Sequence, residues 1–209
     1  MAYRKRLAAA FLILSLGGGP ASALACGYHD PSAFARGALN WLYPDSLHVP
    51  TAEWQAEDAG LLPPRKARKE RELFEFHRIA ADMKSLGRNL SSVAPPDAAE
   101  LGLSVVLLNS VMWTRYATGA GGFTTEVHAD GPGENDVVAV TTPKVVRALL
   151  DGVITFSSAE THGLLRLYGA AEGQQATRAR FLELEKTMPG APGQRASNNQ
   201  AIAEITGNR

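Results

Sequence analysis

The chain has 209 residues, with 21 basic and 21 acidic side chains and a formal net charge of zero when histidine is neutral. That balance excludes the electrostatic footprint of a nucleic-acid binder, which presents a basic face to phosphate. A single cysteine excludes an internal disulfide, so the 45% of apolar residues must carry the fold through a core.

Residues 1–25 read as a secretory signal peptide. Arg4, Lys5 and Arg6 open it, an apolar run from Ala8 to Leu16 follows, and Ala23-Leu24-Ala25 closes it after the helix-breaking Pro20. The apolar run is too short for a bilayer, which takes roughly 20 apolar residues. The expectation is export to the periplasm or cell envelope of a bacterium, with no transmembrane segment in the mature chain. Cleavage after Ala25 removes three basic residues and leaves the acidic side chains in excess. Cys26 then stands first. It is a candidate lipidation site that would anchor the protein to a membrane. Bacterial lipoprotein signals usually place Leu three residues before the cysteine, where this chain has Ala23, followed by Leu24. Ordinary cleavage suits the same residues, and a metal or redox role with His29 is a third reading.

Residues 26–96 read as a helical amino-terminal region. Asp30-Pro31 caps a helix to about Trp41, and a short helix follows from Thr51 to Gly60. The stretch RKARKERELFEFHRIAADMKSLG is the clearest helix, with Phe76, Ile79, Ala80, Met83 and Leu86 on one stripe. Its basic start, Arg65 to Arg71, is a solvated face laced with acidic partners such as Glu72, or a contact for anionic lipid heads.

Residues 97–188 read as an α+β domain. LSVVLLNSVMWTRY from Leu103 is taken as one strand, its early part alternatively continuing a helix begun near Asp97, with FTTEVH from Phe123 as a second strand and VVAVT from Val137 as a third, in an antiparallel meander. Thr142-Pro143 starts a helix ending at Gly152. Ser157 and Glu160 have capping-box spacing for another short helix. LLRLY supplies a fourth strand closed by Gly169. A last helix spans Gln174 to Thr187 with Phe181 and Leu184 as anchors, and residues 189–209 read as a disordered tail. The predicted fold is therefore an antiparallel sheet of about four strands covered by helices, preceded by a helical region.

Catalytic signatures fail: the chain has no G-x-S-x-G, H-E-x-x-H, C-x-x-C or P-loop. Asp130, Glu134 and Asp136 lack the spacing of a calcium loop, and neither a metal nor a cofactor is expected. Glu126 and His128 share one predicted strand face, so they form the one candidate acid/base pair, with a wet sheet face as the simpler reading. His162 reads as a helix-end residue, and His48 and His77 have no partner at a diagnostic spacing.

Residues 136–169, DVVAVTTPKVVRALLDGVITFSSAETHGLLRLYG, resemble the carboxyl half of the sterol-carrier-protein-2-like family. The matching positions are Asp136, Leu149, Leu150, Gly152, Ala159, Gly163 and Gly169. The resemblance implies an antiparallel sheet covered by helices around an apolar cavity, with Trp113, Phe123, Val127, Val140, Leu149, Leu150 and Leu165 as ligand-binding wall candidates. Residues 26–96 have no counterpart in that family. The expected function is a non-catalytic binder or carrier of an apolar, lipid-like molecule. The alternative is an accessory module that docks on an envelope protein partner through Trp41, Tyr43, Trp54, Phe74 and Phe76. An envelope enzyme using Glu126 and His128 comes third.

Overall fold

Leu103–Leu107 and Val137–Thr141 are buried at every position, so both of their faces must be covered. The computed structural model places these two strands side by side at the centre of one sheet. It describes residues 38–64, 72–93, 102–108, 110–119 and 122–187. The leader, Cys26, the Asp30-Pro31 helix start, the basic run 65–71 and the tail 189–209 lie outside the described residues.

In chain order the elements are a helical turn over residues 38–42, α1 (His48–Asp58) and α2 (Glu72–Ser92). The strands β1 (Leu103–Leu107), β2 (Met112–Gly119), β3 (Gly122–Ala129) and β4 (Val137–Thr141) follow. Helices α3 (Pro143–Leu150) and α4 (Phe156–Thr161), strand β5 (Arg166–Tyr168) and helix α5 (Ala171–Thr187) complete the fold.

The sheet has five strands in the order β3-β2-β1-β4-β5. It is α+β, but two sequence expectations need correction. The stretch from Leu103 is a hairpin, since Leu103 to Leu107 pairs antiparallel with Tyr116 to Met112, and the chain reverses through Val111 at φ +48°. The sheet is also mixed, because β4 runs parallel to β1 with Leu103 opposite Val137. Burial explains the order. β3, whose Thr124 and Glu126 are exposed, suits an edge; the apolar β4 needs the covered centre beside β1.

Strand alternation sends two sets of side chains to two cores. On the first face Leu103, Val105, Leu107, Met112, Tyr116, Val137, Ala139 and Leu167 meet the helices. From α2 they receive Ile79, Met83, Leu86 and Leu90, a 4-3-4 spacing that makes one stripe, and from α5 Phe181 and Leu184. Phe76, expected on that stripe, stays 45% exposed. On the second face Val106, Leu108, Val138 and Val140 are covered by Leu39 and Val49, with Tyr43, Trp113 and Tyr168 around them. Helix α1 serves both cores, Val49 in one and Ala56 in the other.

The caps follow the sequence in one case and correct it in the other. Thr142 accepts a hydrogen bond from the Val145 amide and Pro143 takes the first turn of α3, as expected. Helix α4 is capped by Thr155, whose hydroxyl accepts from the Ser158 amide. Ser157 instead donates its amide to Glu185, and Glu160 pairs with Arg178, so the capping-box reading falls. Threonine at 155 wins because it precedes the helix in extended backbone, the geometry a cap needs.

Candidate functional site

A surface cleft of ≈ 900 Å³ opens between α1 and β5. One wall is Pro44, Asp45, His48, Thr51, Ala52 and Gln55. The other is the end of α4 and the strand after it, from Glu160 to Tyr168. Because β5 is the last strand of the sheet, the cleft lies along a sheet edge rather than within the core.

Local chemistry builds both walls. Asn40 accepts the Leu47 amide at its side-chain oxygen, which holds the turn before α1. Asp45 adopts φ +67° there, a left-handed conformation that aspartate tolerates well, and its carbonyl accepts the His48 amide. On the facing wall Gly163 ends α4 at φ +69°, and the amides of Leu164 and Leu165 both donate to the Ala159 carbonyl. The Tyr168 hydroxyl donates to the Pro44 carbonyl at 2.6 Å, which ties the two walls together. Tyr43 packs beside that contact, 5.2 Å from Tyr168 and 6.1 Å from Trp113 between ring centres. Burial raises the phenol pKa of both Tyr43 and Tyr168, so Tyr168 stays protonated and able to donate.

The lining is apolar at Pro44, Ala52, Leu165, Leu167 and the Tyr168 ring, and ionisable at Asp45, His48, Glu160, His162 and Arg166. Glu160 is neutralised by Arg178, which reaches its carboxylate at 2.7, 2.8 and 3.1 Å and is itself raised in pKa by that pairing. His162 has Nδ1 at 2.8 Å from the Ser158 carbonyl, which can only accept. Nδ1 therefore donates in that contact. Asp45 lies 3.8 Å from His48 and 3.9 Å from Arg166.

Of the wall residues expected from the sequence, Leu165 alone borders this cleft. Leu149 and Leu165 are buried in the first core, with Phe123, Val127 and Leu150 packed against it. Trp113 and Val140 belong to the second core, across the sheet from the others. In the first core Tyr116 and Met83 are wholly buried, the Tyr116 hydroxyl donates to the Met83 carbonyl, and Gly87 of α2 lies against Thr125 of β3.

The acid/base candidates also part company. Trp113 pairs with Ala129 while Thr114 pairs with Val127, which leaves His128 as the extra residue of a β-bulge, at φ +69°. Its ring packs edge-on against Phe76 at 5.6 Å, while Glu126 turns to Arg115 at 3.7 Å. Of the acidic loop, Asp136 is an anchor. It accepts from the Ser104 hydroxyl and from the Gly133 amide at 2.8 Å. Among the described residues no group of three His, Cys, Asp or Glu side chains could hold a metal. Sequence reading missed the cleft because Asp45 and Arg166 stand far apart in the chain and no motif links them.

No family model and no curated protein matches the chain. Solved structures that resemble it include sterol-carrier-protein-2 domains. The ubiquinone synthesis protein UbiJ-SCP2 shares 15% identity over 53% of this chain and 98% of its own, with a TM-score of 0.37. The sterol carrier protein domain 2 of Helicoverpa armigera shares 12% over 56% of this chain and 95% of its own, at 0.35. The sec-alkylsulfatase Pisa1 of a Pseudomonas species shares 14% at 0.33, and this chain spans only 13% of its length.

Proposed function

We propose that this chain is a non-catalytic binder of an amphipathic, lipid-like molecule, that the cleft between α1 and β5 receives it, and that it works in a bacterial cell envelope. The observation that carries the reading is the cleft itself. Its ≈ 900 Å³ falls within the roughly 300–1,000 Å³ of ordinary ligand sites, and its lining mixes apolar surface with polar and charged side chains. The envelope placement rests on the zoned order of residues 1–25. Native mass spectrometry of the protein purified from its own envelope tests the function. A co-purifying lipid-like mass is expected, absent from Thr51→Trp, which places a large ring in the cleft from an exposed helix position. An empty wild-type protein, or a lipid retained by the variant, counts against the cleft.

A second reading, docking on an envelope protein partner, is favoured by the exposure of Trp41 at 89%, Leu42 at 70% and Phe74 at 78%. Tyr43 drops out of that surface, because its ring is engaged with Trp113 and Tyr168. Loss of a defined co-purifying protein from the Trp41→Ser, Leu42→Ser double variant, with the lipid retained, would establish it.

A further inference from the structure

We infer that the head of the molecule bound in this cleft is an anion, a carboxylate or a phosphate, and that Arg166 receives it. This rests on the binding reading above and names the ligand's chemistry. The guanidinium has five donors in a fixed fork. Among the described residues its partner is Asp45, 3.9 Å away and beyond hydrogen-bond length. The Nε of Arg166 is buried and has no hydrogen-bond partner at all. Its Nη2 lies near Gly163, where an added methyl would stand 3.7 Å from it. A cation thus lines the cleft with its hydrogen-bonding capacity unspent, although a planar fork is built for bidentate contact with carboxylate or phosphate.

The other charges in the cleft decide the sign. Glu160 is already held by Arg178 on two oxygens, so it presents no free charge. Asp45, whose side chain is 63% exposed, contacts His48 and Arg166 only at 3.8 and 3.9 Å. An entering anion displaces Asp45 from the guanidinium at little cost, since exposed ion pairs at that length contribute little. The imidazoles of His48 and His162 flank the same space, and neither adds a negative charge. Pro44, Ala52 and the Tyr168 ring border the same cleft and give the tail of an amphiphile its apolar surface. As a specificity-determining residue, Arg166 would separate an anionic amphiphile from its neutral counterpart.

The test compares oleate, oleyl alcohol, dioleoyl phosphatidate and inorganic phosphate by calorimetry on the full chain. Oleate and phosphatidate are expected to bind about tenfold more tightly than oleyl alcohol, the difference one charge-assisted contact makes. Arg166→Gln should remove that preference while leaving oleyl alcohol within about twofold of wild type. Asp45→Asn provides the opposite arm. It removes the competing carboxylate, keeps a side chain suited to φ +67°, and should tighten oleate severalfold without touching the alcohol. An unchanged oleate-to-alcohol ratio in both variants overturns the inference, and the cleft reading survives if Thr51→Trp still blocks both ligands. Inorganic phosphate binding as tightly as oleate also overturns it, in favour of a free anion. Failure of wild type to bind any amphiphile sinks the cleft reading itself.

Discussion

The hydroxyl of Tyr116, in the middle of β2, donates to the carbonyl of Met83 in α2 at 2.8 Å, and both side chains are wholly buried. This contact joins helix to sheet. Burial drives the phenol pKa far up, so the hydroxyl remains a donor throughout the range in which the protein is folded. Tyr116→Phe should therefore fold and lose about 1 kcal/mol, the net worth of one neutral hydrogen bond. Tyr116→Ala should lose about 3–5 kcal/mol through the cavity. Urea denaturation separates the two.

Gly87 in α2 sits over β3, where an added Cβ would lie 2.1 Å from Thr125 Oγ1 and 3.0 Å from Tyr116 Cε1. Helix propensity alone predicts that alanine stabilises this position by about 1 kcal/mol. Overpacking costs about 1–3 kcal/mol and wins, so Gly87→Ala should lower the melting temperature. The double variant Gly87→Ala, Thr125→Ala removes the colliding oxygen and should recover most of the loss. An additive double variant would show that steric fit is not the cause.

Thr142 does two jobs with one hydroxyl. It accepts the Val145 amide to cap α3 and donates to the buried carboxylate of Glu53 in α1. Thr142→Val keeps the shape and removes both, and should cost about 2 kcal/mol. Thr155→Val, which loses only the cap of α4, should cost about 1 kcal/mol. Equal losses by chemical denaturation would mean that the tie to α1 contributes nothing.

Asp82 on α2 pairs with Arg147 on α3. Burial nevertheless raises its pKa above the usual 3.8, and the nearby guanidinium lowers it only in part. A carboxyl whose folded pKa is raised binds its proton more tightly in the native state. Its contribution is complete below the ordinary value and is lost as the pH climbs through the raised one. Relative to wild type, Asp82→Asn should therefore gain stability as the pH climbs from about 3.8 through the raised value. Identical slopes for both proteins across that window would refute this.

Much of the fold was legible in the residues. The three- and four-residue spacing of Ile79, Met83 and Leu86 could only be an amphipathic helix, and Thr142-Pro143 could only open one, because both signals act within a few residues. The alternation of Phe123, Thr125 and Val127 likewise settled which side of β3 meets the core. Local rules misled where a tertiary choice entered. The run from Leu103 read as one strand, since neither its composition nor its period marks the reversal at Val111. His128 was placed beside Glu126 by strict alternation, and the bulge turned it to Phe76 instead.

The sequence by itself determined the class of the fold, the Thr142 cap of α3 and most of the α2 stripe that builds its core, because each follows from neighbours on the chain. Only the tertiary structure decided that β4 lies parallel to β1, that the expected cavity wall is split between the two faces of the sheet, and that Arg166 comes to face Asp45. Those relations join residues far apart along the chain, where pairing is set by competition for burial on two faces at once, and no local pattern records its outcome.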